Sequence, residues 1–184
     1  MKKYRLLFIG FGTIGRALAR QILEKESAIR ERYGAAFQTT AVFTRRHGVA
    51  LDPGGLNMIE VLRLAESGSR IGNLTPEQLP LEEIFRTSKA DILLENTPTD
   101  RQSGEPAVTH VRAALRNGLH AVTANKGPAA FAYRELRDLA CSQDRRFLFE
   151  AAVMDGTPVF SLFREALPAL RVNGFRAILN STTN

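Results

Sequence analysis

A short apolar run leads into a glycine-rich loop that opens a helical pattern, and this combination restricts the folds open to the chain. The loop is Gly10-Phe11-Gly12-Thr13-Ile14-Gly15, which fits G-x-G-x-x-G. Residues 4–9 before it are typical of a buried parallel strand, and residues 13–26 after it carry the apolar stripe of a helix. The spacing alone is weak evidence, but a strand before it and a helix after it predict dinucleotide binding.

Each glycine of the loop has a predicted task. Gly10 permits the tight turn, Gly12 lets the backbone approach a pyrophosphate, and Gly15 allows close packing of the helix on the strand. The backbone amides and the positive end of the helix dipole then face the phosphates. We therefore predict cofactor contacts along the whole loop, namely from Gly10, Phe11, Gly12, Thr13, Ile14 and Gly15.

The end of the second predicted strand, residues 39–44, bears on which dinucleotide is bound. A site that prefers NAD usually places a carboxylate there for the ribose hydroxyls, whereas this chain continues with Arg45 and Arg46. A guanidinium can pair with a 2′-phosphate through two hydrogen bonds, so the sequence favours NADP. An arginine pair near a strand end is also a common surface feature, so NAD stays the alternative cofactor.

The rest of the chain alternates between strand and helix patterns. Further strands are predicted at 90–95, 120–123, 146–151 and 172–180, with helices at 56–66, 105–117, 131–141 and 158–167 and a loop at 67–80. This alternation predicts right-handed crossovers and a doubly wound α/β fold with a mostly parallel sheet. Ligands bind such sheets at the carboxyl ends of the strands, where the motifs of this chain fall.

Composition excludes several classes of partner. The net charge is +6, but Lys and Arg are scattered in short runs, so no nucleic-acid partner is expected. No segment is long and apolar enough to span a membrane. Cys141 is the single cysteine, so no internal disulfide can form, and we expect a cytoplasmic protein. Cys141 falls on the apolar side of a predicted helix and is interpreted as a small core residue.

Several later runs of sequence, in this order and spacing, resemble the homoserine dehydrogenase family. They are Asn96-Thr97-Pro98-Thr99-Asp100, Gly104-Glu105-Pro106, Thr123-Ala124-Asn125-Lys126-Gly127-Pro128, Glu150-Ala151-Ala152-Val153-Met154-Asp155-Gly156-Thr157-Pro158 and Ile178-Leu179-Asn180-Ser181-Thr182-Thr183-Asn184. The resemblance implies a Rossmann-type dinucleotide-binding domain at 1–150 and the beginning of a substrate and dimerisation sheet at 151–184. It also implies hydride transfer between L-aspartate 4-semialdehyde and L-homoserine, in threonine, methionine and isoleucine biosynthesis, by a homodimer.

The resemblance also implies roles for individual residues. Lys126 lies between nicotinamide and substrate and assists catalysis, while Thr97 and Pro98 contact the nicotinamide side. Thr182 and Thr183 contact the small-molecule substrate. A monovalent cation such as sodium is bound by the carboxylate of Glu150 and by backbone carbonyls, here those of Val153, Asp155 and Thr157.

The sequence departs from the family pattern in two places. Met154-Asp155 and Ser181 stand where glycine is usual, so the cation site requires that the backbone still adopt glycine-like angles. Family members also continue beyond the last run, with acidic substrate-binding residues and a second lysine. Three hypotheses follow: an oxidoreductase, an NADP-binding module that turns nothing over by itself, or a remnant that binds a partner through an exposed sheet edge. We expect this chain alone to bind cofactor without useful catalysis.

Overall fold

A computed structural model describes residues 1–167 and 169–178, and within them the strands form one six-stranded sheet. The order is β3-β2-β1-β4-β5-β6; β3 runs antiparallel to β2 and the remaining pairs are parallel. The strands are β1 (Lys2–Ile9), β2 (Ala35–Thr44), β3 (Gly48–Leu51), β4 (Ile92–Glu95), β5 (His120–Thr123) and β6 (Phe147–Leu148). The predicted doubly wound, mostly parallel sheet is confirmed.

Helices connect the strands and cover both faces of the sheet. They are α1 (Thr13–Glu24), α2 (Glu26–Tyr33), α3 (Met58–Glu66), α4 (Leu81–Thr87), α5 (Ala107–Arg116), α6 (Lys126–Phe131), α7 (Tyr133–Ser142) and the short α8 (Val159–Ser161). A 3₁₀ turn at Glu150–Ala152 and a π-helical turn at Leu162–Ala166 flank α8. In the part of the chain that the structure describes, no helix has the length and apolarity needed to cross a membrane.

Alternate residues of β1 point into two separate apolar cores. Leu7 and Ile9 lie in the core that α4, α5 and α7 cover, and Leu6 and Phe8 lie in the core that α1 and α3 cover. All four side chains are at most 1% exposed. Burial on both faces explains why β1 reads as a continuous apolar run rather than an alternating one.

Two predictions made from the C-terminal third are wrong, and the bounds of a third are too wide. Residues 172–178 form no strand, and no described strand lies beside them to supply hydrogen bonds; residues 179 and 180 lie outside the described part. The predicted strand 146–151 is only two residues long, because the chain turns at Glu150 into the 3₁₀ turn. Cys141 is exposed, because Leu136 and Ala140 form the buried face of α7 and the next residue points away from it.

Candidate functional site: the crevice at the carboxyl ends of β1 and β4

The strand order reverses between β1 and β4, and the chain leaves both strands at the same edge of the sheet. The Asn96 amide donates to Ile9 O at 2.8 Å, and the Gly10 amide donates to Phe43 O at 2.9 Å. The segments that follow β1, β2 and β4 are therefore held side by side. Such a reversal leaves a crevice between neighbouring loops, which is where doubly wound sheets bind ligands.

The glycines of the loop differ in what surrounds them. Gly10 has φ +84°, and a Cβ there would lie 2.6 Å from the Asn96 carbonyl carbon and oxygen. A Cβ on Gly15 would lie 2.9 Å from Gly10 O, whereas nothing lies within 4 Å of the position for Gly12. Gly10 and Gly15 are thus needed by the protein's own packing, and Gly12 faces open space at the start of α1.

This geometry fits a bound diphosphate. Gly12 is the N-cap residue of α1, and no side chain caps the helix there. The first amides of a helix have no intrahelical partner, so they point toward the open space and carry the positive end of the dipole. Thr13 and Ile14 are exposed on this first turn. Phe11 is buried with its ring against Phe8, so only its backbone can face a ligand.

Arg45 and Arg46 lie in the turn between β2 and β3, and both are exposed. The Thr44 hydroxyl donates to Gly48 O at 2.9 Å and accepts from the His47 amide at 2.8 Å, which closes the turn. Because Phe43 holds the Gly10 amide, the turn sits beside the glycine loop. The structure therefore brings Arg45 and Arg46 to the rim of the crevice.

A buried carboxylate lies beneath the neighbouring loop. Glu95, the last residue of β4, is 0% exposed. Its Oε1 accepts from the Thr97 amide at 3.0 Å and from the Thr97 hydroxyl, and its Oε2 accepts from the Thr123 hydroxyl at 2.7 Å. His110 on α5 places Nδ1 3.6 Å from Oε1. The sequence interpretation did not single out Glu95 or His110; a carboxylate ending an otherwise apolar strand was the available signal.

Asn125 joins the loops that follow β4 and β5. Its amide nitrogen donates to Thr97 O at 2.9 Å, and its Oδ1 accepts from the Gly127 amide at 2.8 Å and from the Thr99 hydroxyl at 2.9 Å. Asn125 also caps α6, whose first residue is Lys126. The structure thus ties the predicted residues Thr97 and Pro98 to the loop that carries Lys126.

Lys126 is exposed at the edge of a mainly apolar cavity of about 580 Å³. The cavity is lined by Lys126, Ala129, Ala130, Tyr133, Phe149, Ala152, Val153 and Phe160. It lies between the start of α6 and the residues that follow β6. An ammonium beside an apolar space is suited to stabilising negative charge that develops on a small bound molecule.

The residues predicted to bind a cation lie in the segment that follows β6, between Glu150 and Thr157. Glu150 accepts from the amides of Phe160 at 2.8 Å and Ser161 at 3.0 Å, so its carboxylate fixes the start of α8. Met154 and Asp155 have φ of +56° and +53°. These residues therefore adopt the left-handed angles that glycine adopts readily, despite their side chains. Val153 is half-buried and Thr157 is exposed; Thr182 and Thr183 lie outside the described residues.

Comparison with known proteins gives one consistent result. The family model described as homoserine dehydrogenase, NAD binding domain, matches residues 10–150. Homoserine dehydrogenase of Methanocaldococcus jannaschii is 32% identical over 97% of this chain and 53% of its own length. NAD(+)-dependent homoserine dehydrogenase of Pseudomonas canavaninivorans is 36% identical over 100% of this chain and 53% of its own length.

A solved structure has the same fold. A hyperthermophilic archaeal homoserine dehydrogenase in complex with NADPH superimposes with a TM-score of 0.72 and 29% identity, over 88% of this chain and 48% of that one. The chain spans about half the length of the curated relatives it matches.

Proposed function

The chain belongs to the homoserine dehydrogenase family, and from that premise we propose that it binds NADP(H) for hydride transfer between L-homoserine and L-aspartate 4-semialdehyde. The observation that carries the proposal is the open space above Gly12, at the start of α1 and beside the arginine turn. The nicotinamide supplies the redox chemistry when it is bound, and the protein binds, orients and supplies charge.

Each part of the crevice has a role in this proposal. The glycine loop and the first turn of α1 bind the pyrophosphate, and the loop at Thr97 and Pro98 positions the nicotinamide ring. Lys126 holds its ammonium where a substrate oxygen becomes negatively charged, which stabilises that charge electrostatically. Asn125 orients this part of the site by capping α6 and holding the carbonyl of Thr97.

The preference for NADP rests on the turn between β2 and β3. Among the relatives, one is named as NAD(+)-dependent and another was solved with NADPH, so family membership leaves the choice open. In this chain β2 ends at Thr44 and continues into Arg45 and Arg46, with no carboxylate for the ribose hydroxyls. Two exposed guanidinium groups favour the 2′-phosphate.

We also propose that the segment around Glu150 binds a monovalent cation such as sodium. The left-handed angles of Met154 and Asp155 support this, because they let the backbone follow the path of a glycine-rich loop. Hard carbonyl and carboxylate oxygens are suitable ligands for such an ion. Glu150 would have to accept the ion while it keeps its hydrogen bonds from the start of α8.

The activity of the polypeptide of residues 1–184 is a separate question, and we propose that it binds NADPH without oxidising homoserine. Hydride transfer needs an oriented substrate and a group that exchanges the hydroxyl proton, and loss of a positioned acid or base costs about 10²–10⁴-fold. The relatives extend over about twice the matched length.

Titration with NADPH and a parallel assay of homoserine oxidation test both statements. Adding the C-terminal half of a relative, fused or in trans, should raise the rate above background. Turnover by residues 1–184 alone at a rate typical of an enzyme would refute the proposal that this polypeptide binds NADPH without oxidising homoserine. Absence of NADPH binding would refute the proposed function itself.

A further inference from the structure

Glu95 is the only carboxylate that is fully buried among the described residues, and it ends a strand in the middle of the sheet. A buried carboxylate is costly unless hydrogen bonds and positive charge compensate it. Its donors come from Thr97 and Thr123, which flank the two loops that the proposed function assigns to the nicotinamide end. A requirement for stability alone would be met more simply by an apolar residue at this position.

The hydrogen bonds around Glu95 form a closed circuit between the loops after β4 and β5. Glu95 holds Thr97 through Oε1 and Thr123 through Oε2. The Thr123 hydroxyl accepts from the Asn125 amide at 3.0 Å, and the Asn125 side chain returns to Thr97 O. Each loop is therefore fixed relative to the other by side chains that are themselves buried or half-buried.

His110 completes this arrangement from α5. It is 9% exposed, and its buried Nδ1 has no hydrogen-bond partner among the described residues. That atom lies 3.6 Å from Glu95 Oε1, which is longer than a hydrogen bond. The imidazole ring of His110 therefore meets the carboxylate from the side of α5.

We propose that Glu95, with His110 opposite it, is a positioning residue that sets where Thr97 and Lys126 stand relative to each other. The inference rests on the proposed function, because that function places the nicotinamide between these loops. The far end of the dinucleotide is held by different groups, the glycine loop and the arginine turn. Disturbing Glu95 should therefore weaken binding of the nicotinamide end while the adenosine end is still bound.

The test compares two ligands on the polypeptide of residues 1–184. NADPH probes both ends of the site, and 2′-phospho-ADP-ribose probes only the end without nicotinamide. In Glu95→Gln, which keeps the shape and removes the charge, the affinity for NADPH should fall about tenfold, or about 1.4 kcal/mol of binding free energy. The affinity for 2′-phospho-ADP-ribose should stay within about twofold of the parent value.

Two further variants separate positioning from a general loss of stability. Thr123→Val removes the donor to Oε2 and should give the same split between the ligands, even if Glu95→Gln fails to fold. Thr40→Val is the matched control, since Thr40 is also a buried strand threonine, with its hydroxyl donating to Leu6 O at 3.3 Å. This control should leave the ratio of the two affinities unchanged.

The outcomes distinguish the inference from the function on which it rests. Equal weakening of both ligands in Glu95→Gln and Thr123→Val, or no weakening of either in the folded variants, would overturn the positioning role. The same split in Thr40→Val would overturn it too, because any lost buried hydroxyl would then suffice. A parent protein that binds neither ligand would instead refute the proposed function.

Discussion

Replacing Gly10 with alanine should lower the stability of the protein, whereas replacing Gly12 with alanine should weaken ligand binding, although the two glycines are two residues apart in one loop. At Gly10 the added Cβ meets the backbone of Asn96 and Thr97 at 2.6–2.8 Å, and the φ of +84° is unfavourable for any residue with a Cβ. At Gly12 the same atom meets nothing within 4 Å, and φ is −80°. The first change therefore damages the protein, and the second damages only the space for a ligand.

The magnitudes follow from these contacts. A left-handed angle costs a non-glycine residue about 1–2 kcal/mol, and an overpacked contact costs about 1–3 kcal/mol, so Gly10→Ala should lower the free energy of unfolding by about 2–5 kcal/mol. For a chain of this size each kcal/mol lowers Tm by about 2–4 °C. Gly12→Ala should cost no more than about 1 kcal/mol, the usual difference between N-cap residues.

The affinity for the ligand should respond to the change at Gly12, which has little effect on stability. In Gly12→Ala the Cβ occupies the space proposed for the pyrophosphate, and loss of hydrogen bonds to a charged group is worth about 1.5–3 kcal/mol, or roughly 10–150-fold in affinity. Gly12→Val, with a larger side chain, should abolish binding while the fold is retained. Thermal unfolding without cofactor and titration with NADPH measure the two effects separately.

Either half of this reasoning can be refuted on its own. A Gly12→Ala or Gly12→Val protein that titrates like the parent would mean that the phosphates do not lie above Gly12. A Gly10→Ala protein with the Tm of the parent would mean that the Asn96 segment moves aside freely.

Two further predictions concern the arginine turn and the contact between α5 and α7. Replacing Arg45 and Arg46 together with Ala should weaken NADPH by about 10–150-fold and leave NADH nearly unchanged; equal weakening of both in parallel titrations would point to a general electrostatic effect. The hydrogen bonds from Arg112 to Glu135, at 2.5 and 3.0 Å, lower the pKa of that carboxyl against the opposing effect of burial. A lowered folded-state pKa stabilises the protein above the unfolded value, so the Tm difference between parent and Arg112→Gln should be present at pH 7 and shrink below about pH 4. A difference independent of pH would contradict the ion pair as its cause.

The parts of the fold that the sequence predicted well are those whose signal is local. The glycine loop follows β1 as expected, and β5 spans the predicted residues His120–Thr123. The short elements β3 and α4 were not predicted: β3 has four residues and owes its form to hydrogen bonds with β2. A pattern of that length cannot be distinguished from a loop by periodicity. For the same reason the sequence could not show that Arg45 and Arg46 lie in a closed turn.

The residues of the candidate site also fall into two groups, those that local sequence predicts and those that only the folded chain brings together. Residues that would touch a cofactor, such as those of the glycine loop and Lys126, lie in contiguous motifs and could be named from the sequence. The groups that place them come together only in the folded chain: the carboxylate of Glu95 meets the hydroxyl of Thr123 across 28 residues of sequence. A glutamate that ends an apolar strand is a signal in the sequence, but the linear pattern does not show which hydroxyl and amide groups it will meet.

The close approach of the glycine loop and the hydrogen bonds of buried side chains both constrain the segment that follows β4. From the side of β1, the absent side chain of Gly10 leaves room for the Asn96 backbone. From within the sheet, Glu95 holds the Thr97 amide and hydroxyl, and Asn125 holds the Thr97 carbonyl. Because every polar backbone group of Thr97 has a partner, the loop can present its exposed face to a ligand without rearranging. A preorganised loop of this kind reduces the cost of ordering the site when the ligand binds. This is the physical reason to expect that altering a buried carboxylate which no cofactor would touch should change affinity for one end of that cofactor.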